Sequence, residues 1–147
     1  MAIKDTNKKP YIVDRDDKIF VGIDLPFRKS EGSEGWFAST STTIEAVKNN
    51  IRNLLQTQQG ERFFQPFLGI NLRKYQFEQI TEDVIVKIQN DILDTFKIWL
   101  PFVEIRNIKV NTKELKELDR NKISLDILFN IKQDPNTLQS VQVDIGE

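Results

Sequence analysis

Carboxylates are the catalytic side chains this chain holds in quantity, and Glu61 has the most suggestive setting among them. It stands in the run Gly60-Glu61-Arg62-Phe63-Phe64-Gln65-Pro66-Phe67-Leu68-Gly69, close to three phenylalanines. A glycoside hydrolase needs two carboxylates across a cleft, one with its pKa raised by an apolar pocket. Glu61 is the candidate acid, with Glu78 or Asp83 as partner. A chain with 22 acidic residues offers many such pairs, however. A carboxylate directly beside Arg62 also suits a local ion pair better than a neutral acid.

Other chemistries have less to stand on. There is no His and no Cys, so the commonest general base, the commonest transition-metal ligand and the thiolate nucleophile are all missing. Ser39 and Ser41 have no His to activate them and no Ser-x-x-Lys arrangement. Asp14-Arg15-Asp16-Asp17 lacks the Gly and Glu that a calcium loop requires. No glycine-rich phosphate cradle is present. Arg52, Arg62, Arg73 and Lys74 interleave with Phe63, Phe64, Phe67 and Tyr75, and aromatics beside cations can stack bases. The preferred account is that these aromatics are core and the cations line a rim. A net charge of −1 also argues against nucleic acid or an anionic membrane as partner. No catalytic, cofactor-binding or metal-binding residue is assigned, no cofactor is expected, and no small-molecule substrate is implied.

The elements that hold this loop follow from periodicity. Thr42 and Glu45 form a capping box. Ile44, Val47, Ile51, Leu54 and Leu55 then share one face of a helix expected over 43–59, with Gly60 at the left-handed position past its end. Asn71–Phe77 reads as a short helical turn with Leu72, Tyr75 and Phe77 inward. Thr81 caps a second helix, whose first turn carries Glu82 and Asp83 to complement the dipole. Val84, Ile88, Ile92, Phe96 and Trp99 form its stripe, widened by Ile85, Leu93 and Leu100, and Pro101 stops it.

Beyond Pro101 the period falls to two. Val103 and Ile105 alternate in one phase, and Ile108, Val110 and Thr112 in the other. The slip near Arg106-Asn107 predicts a β-bulge or two short segments. Ile123, Leu125, Ile127, Phe129 and Ile131 alternate cleanly after a charged connection, Lys113–Lys122. Gln133–Asn136 reads as a turn before a last strand with Leu138, Val141, Val143 and Ile145. The expected fold is α+β: two main helices packed on a small antiparallel sheet of about three strands. An N-terminal arm, residues 1–42, precedes a single domain, 43–147. The arm carries a hairpin of Tyr11–Val13 with Ile19–Ile23 and a loop over 28–42, in which Trp36-Phe37 either pins the loop to the core, the preferred reading, or anchors a partner protein. No apolar run reaches membrane-spanning length, and Met1–Asp5 has no apolar leader pattern, which points to synthesis in the cytosol.

The meander leaves at least one strand edge open, and an open edge can take up an extra strand. Leu54-Leu55-Gln56-Thr57, Gly60, Arg62, Pro66-Phe67-Leu68-Gly69, Leu72 and Phe77, with the helix, proline and strands that follow, resemble the baseplate wedge proteins of contractile-tailed phages. That family includes a type VI secretion baseplate subunit and carries an older "lysozyme-like" label. The resemblance covers residues 43–135. The chain departs from it at Leu100-Pro101-Phe102, where the family has Glu-Pro-Arg, and at Pro66-Phe67-Leu68-Gly69, where it has Pro-Glu-Phe-Gly.

The resemblance implies a structural subunit that joins the inner baseplate and nucleates the tail sheath by strand exchange. Its partners would be other wedge proteins and the sheath protein, in a virion assembled in the host cytoplasm. Gly60, Arg62, Pro66, Gly69 and Pro101 would form the family loop and partner contact. Ile108, Val110, Ile123, Leu125, Ile127, Phe129, Val141 and Val143 would carry the exchange, with strands 103–112 and 122–131 at the sheath contact. The rival readings are a muramidase acting on peptidoglycan and the equivalent subunit of a secretion system.

Overall fold

A computed structural model of the chain describes residues 20–30, 35–79, 81–111, 123–132 and 134–146. The chain divides into two compact units, residues 1–47 and 48–147.

In the first unit, β1 (Gly22–Ile23) pairs antiparallel with β2 (Ser39–Thr40). A bridge between Lys29 and Phe37 extends the ribbon, as do the bonds from Asp24 N to Ala38 O (2.9 Å) and from Ala38 N to Arg28 O (3.0 Å). Part of the expected 28–42 loop is therefore the returning strand of a hairpin. The predicted partner of Ile19–Ile23, Tyr11–Val13, lies outside the described residues. Trp36 and Phe37 are corrected as well: they are 80% and 55% exposed, and pin nothing to a core. The Phe37 ring packs on Phe27 at 5.7 Å, and the Lys29 ammonium sits 5.9 Å from the Trp36 ring.

Helix α1 (Thr43–Gln56) starts as the capping box requires, with Glu45 N donating to Thr42 Oγ1 at 3.3 Å. Val47, Ile51, Leu54 and Leu55 are buried along its apolar stripe. The helix ends three residues before the expected 59. Thr57 closes the last turn through Asn53 O, with its amide at 3.0 Å and its hydroxyl at 2.6 Å. The Thr57 carbonyl then accepts from Ile70 N at 2.9 Å, which turns the chain out of the helix.

In the second unit, a 3₁₀ helix (Leu72–Phe77) precedes α2 (Glu82–Trp99). Leu72 and Tyr75 are buried as expected, but Phe77 is 82% exposed. The tight three-residue turn eclipses positions 72 and 75 on one side and carries Phe77 off that side. Tyr75 Oη donates to Asp91 Oδ2 at 2.8 Å, and Lys74 pairs with the same oxygen at 3.1 Å, which fastens the 3₁₀ helix to α2. Thr81 has the extended backbone of a cap but makes no side-chain capping bond. Val84, Ile88, Ile92 and Phe96 are buried along the α2 stripe, and Leu93 is 37% exposed at its border.

The sheet is a meander of β3 (Val103–Asn111), β4 (Ile123–Ile131) and β5 (Asp134–Ile145), in the order β3-β4-β5 with antiparallel neighbours. The predicted slip is a bulge between Ile105 and Asn107 that leaves Arg106 as the extra residue within one continuous strand. The connection 113–122 lies outside the described residues, as does residue 112. The expected Gln133–Asn136 turn is shorter: Ile131 pairs with Asp134, so only two residues separate β4 from β5.

Period-two alternation puts Ile123, Leu125, Ile127, Phe129 and Ile131 on one face, all buried, with Val141, Val143 and Ile145 beside them. The other face is laced by polar side chains. Arg106 Nε donates to Asn130 Oδ1 (2.9 Å), Asn130 Nδ2 to Glu104 Oε2 (3.3 Å), Asn111 Nδ2 to Asp126 Oδ2 (2.5 Å) and Ser124 Oγ to Asp144 Oδ1 (2.5 Å). These cross-strand bonds satisfy Asn130, which is fully buried, and pin the register. The architecture is α+β, as the periodicity predicted.

Candidate functional site: the Thr57–Ile70 loop and the sheet edges

The loop between α1 and the 3₁₀ helix is closed at its base by backbone. Ile70 N reaches Thr57 O, and one step out Gly60 N reaches Pro66 O at 2.7 Å. Gly69 is required at the base. Its φ is +105°, and a β-carbon there would collide with the Thr57 carbonyl while standing 3.1 Å from Thr57 Cγ2. Gly60 has φ +87° with open space around it, so it serves the loop's turn and not the helix end from which it was predicted. Smaller turns fill the interior: Glu61 N to Gln58 O (3.1 Å), Gln65 N to Arg62 O (3.2 Å) and Leu68 N to Gln65 O (3.0 Å).

The two charged groups of the loop face inward along its own backbone or back to the helix. Glu61 Oε2 accepts from Gln58 N at 3.0 Å, and an Arg62 Nη donates to Asn53 Oδ1 at 2.9 Å, in the last turn of α1. The expected Glu61–Arg62 ion pair is therefore replaced by two separate anchors. Arg62 also bridges back over nine residues, a link that no sequence spacing announced.

The phenylalanines do the opposite of what was expected. Phe63, Phe64 and Phe67 are 91%, 94% and 80% exposed, so they are not core. With the loop's ends pinned by backbone bonds, its tip stands away from the apolar interior. Phe63 and Phe64 meet edge to face at 5.3 Å. Burial resumes at Gly69 and Ile70, and the next buried apolar side chain is Leu72. Glu61, Glu78 and Asp83 are all exposed, so the apolar enclosure that a proton-donating carboxylic acid requires is missing around each of them.

The structure brings Gly60, Arg62, Pro66 and Gly69 together in this loop. Pro101 is elsewhere, at the end of α2, in a groove of about 270 Å³ with Leu93, Phe96, Val103 and Ile105, bordered by Lys97 and Lys132. None of the groove's lining residues belongs to the loop.

The strand-exchange residues separate by strand. Ile108 and Val110 lie on β3, Val141 and Val143 on β5, and Ile123, Leu125, Ile127 and Phe129 on β4. β4 is paired with β3 on one side and β5 on the other, so it is the central strand and offers no free edge. The outer edge of β3 is broken by its bulge, and the Ile108 carbonyl accepts from Gln89 Nε2 of α2 at 3.0 Å. β5 has a strand partner on one side only among the described residues.

A family described as "Baseplate wedge protein gp25" matches residues 41–136, well over half of the chain. The baseplate wedge protein gp25 of Enterobacteria phage T4 is 19% identical over 108 residues, covering 74% of this chain and 79% of the phage protein. A crystal structure of a candidate tail lysozyme from Geobacter sulfurreducens superposes with a TM-score of 0.61 at 22% identity, over 72% of this chain and 92% of that one. A chain in the baseplate of the anti-feeding prophage superposes with a TM-score of 0.60 at 21% identity, over 75% and 83%. At these identities the structural likenesses speak for the fold.

Proposed function

The chain belongs to the baseplate wedge protein gp25 family, and from that membership we propose that it is a structural subunit of a contractile-tail baseplate. In this reading it docks to other wedge proteins and starts the tail sheath by strand pairing, in a virion tail assembled in the host cytoplasm. Residues 43–147 form the baseplate domain, and residues 1–42 an interaction arm of which all but 41–42 precede the family match. The observation that carries the reading is the edge of β5. This twelve-residue strand buries Val141, Val143 and Ile145 on one face and exposes Ser140, Gln142 and Asp144 on the other, with one lateral side unpaired among the described residues. Such an edge adds a strand of alternating apolar and polar residues.

Removing residues 133–147 would delete part of the core, so single prolines test the edge more cleanly. Neighbouring amides in a strand alternate between facing the paired strand and facing away. Of Gln139→Pro and Ser140→Pro, one therefore loses an outward amide and keeps near-wild-type thermal stability. Baseplates carrying that variant are expected to lack sheath by electron microscopy. Full-length sheaths on them would sink the strand-pairing reading.

The tail-lysozyme designation belongs to the Geobacter protein. For this chain the structural reading is supported by the exposure of Glu61. A cell-wall turbidity assay separates the two: lysis by the wild type that disappears in Glu61→Gln would replace the structural reading with a muramidase.

A further inference from the structure

We propose that Phe63, Phe64 and Phe67 form a rigid hydrophobic finger that inserts into an uncharged apolar cleft on a partner protein. The inference rests on the baseplate reading for the particle in which the partner is sought. Its chemistry comes from the loop itself.

Three side chains at 80–94% exposure present roughly 500 Å² of aromatic surface, given about 150–250 Å² per ring. Phe63 and Phe64 form one continuous part of that surface, with their rings 5.3 Å apart, and exposed aromatic surface of this extent marks contact sites. The finger is also pre-formed. The bonds Gly60–Pro66, Gln65–Arg62, Leu68–Gln65 and Arg62–Asn53 hold its backbone before any partner arrives, so little ordering entropy remains to be lost on binding.

Charge selects the occupant. The loop's one cation, Arg62, is engaged with Asn53, and its one anion, Glu61, is engaged with Gln58 N. The tip that follows them, Phe63-Phe64-Gln65-Pro66-Phe67, carries no charge. A nucleic acid or an anionic lipid surface would find the loop's own cation already engaged and none on the tip. Phenylalanine has no polar handle of the kind that Trp and Tyr bring to a membrane interface. The complement of an uncharged, wholly apolar tip is an uncharged apolar cleft in a protein, where buried aromatics act as anchors.

The test places the photoreactive amino acid p-benzoylphenylalanine at position 64 and irradiates assembled particles. The expected product is a cross-link to an apolar segment of another baseplate protein, identified by mass spectrometry. In parallel, the triple variant Phe63→Ser, Phe64→Ser, Phe67→Ser should keep the wild-type melting temperature while its incorporation into particles falls at least about tenfold. A cross-link to a second copy of this chain, to nucleic acid or to lipid overturns the proposal. So does the absence of any cross-link, or undiminished incorporation of the triple variant. If the wild-type chain itself is missing from purified particles, the baseplate reading fails. The finger is then judged by the same peptide criterion on cross-links formed in the producing cells.

Discussion

In the β3–β5 sheet, Ile123, Leu125, Ile127 and Phe129 turn inward and are buried, whereas Phe63, Phe64 and Phe67 in the Thr57–Ile70 loop turn out to solvent. Both regions are rich in large apolar side chains, and both are well ordered by hydrogen bonds. What differs is which groups make the order. In the sheet the ladder and the apolar face support each other, because a strand that buries one face must hold its register. In the loop the backbone and two charged side chains close the structure without help from the phenylalanines. Those rings are therefore free to serve something outside the chain.

The contrast can be broken at the sheet with the largest effect. Phe129 is fully buried on the central strand, and Phe129→Ala is expected to cost about 3–5 kcal/mol in chemical denaturation, enough to unfold a marginal domain. A loss under about 1 kcal/mol would show that this sheet face is not the core.

The loop should respond most strongly at its base. Gly69→Ala combines a left-handed backbone with a collision against the Thr57 carbonyl, and a loss on the order of 2–3 kcal/mol is expected. Gly60→Ala has open space and only the dihedral cost, so it should lose about 1 kcal/mol. Equal losses at the two glycines would show that the Thr57–Gly69 approach is not what closes the loop.

A smaller effect is expected where Arg62 meets Asn53. Arg62→Ala and Asn53→Ala should each cost about 0.5–1.5 kcal/mol, with the double variant costing less than the sum. Additive losses in that cycle would mean that the bond is absent in solution. Arg62→Ala should also reduce incorporation into particles if the loop must be held rigid to dock.

The smallest effect concerns pH. Burial, and then the bond to Asp91, pushes the Tyr75 phenol up from its ordinary 10.0, and the Asp91 carboxylate raises Lys74 above 10.5. Both groups hold their protons more tightly when folded. Their contribution is thus fully present below about pH 10 and is lost as the pH rises through the raised values. Thermal stability should decline above that point, and Tyr75→Phe should decline less steeply. An identical alkaline slope in Tyr75→Phe would remove the phenol from the account.

Most of the fold was legible because it is periodic. The helical stripes of α1 and α2, the strand alternation of β4 and the change of phase at Arg106 each state which side chains share a face. Thr42-x-x-Glu45 and Pro101 marked helix boundaries by local geometry alone. The loop has no period, so its composition announced a fixed shape without saying which way the rings face. The end of α1 was misplaced for a related reason: Thr57 leaves the helix to pair with Ile70, a partner thirteen residues away.

The amino-acid order by itself determined the two helices, the alternation of the three strands, the slip near Arg106 and the absence of His and Cys, since these depend on neighbours within a few residues or on composition; that the slip is a bulge in one strand was read from the pairing. Only the tertiary structure decided that β4 is central, that β5 has a strand partner on one side only among the described residues, that Gly69 lies against Thr57, that Arg62 returns to Asn53, and that the loop phenylalanines are outside. Each of these is a contact, or the lack of one, between groups distant in sequence. It is settled by how pinned backbone segments meet and not by the preference of any residue type.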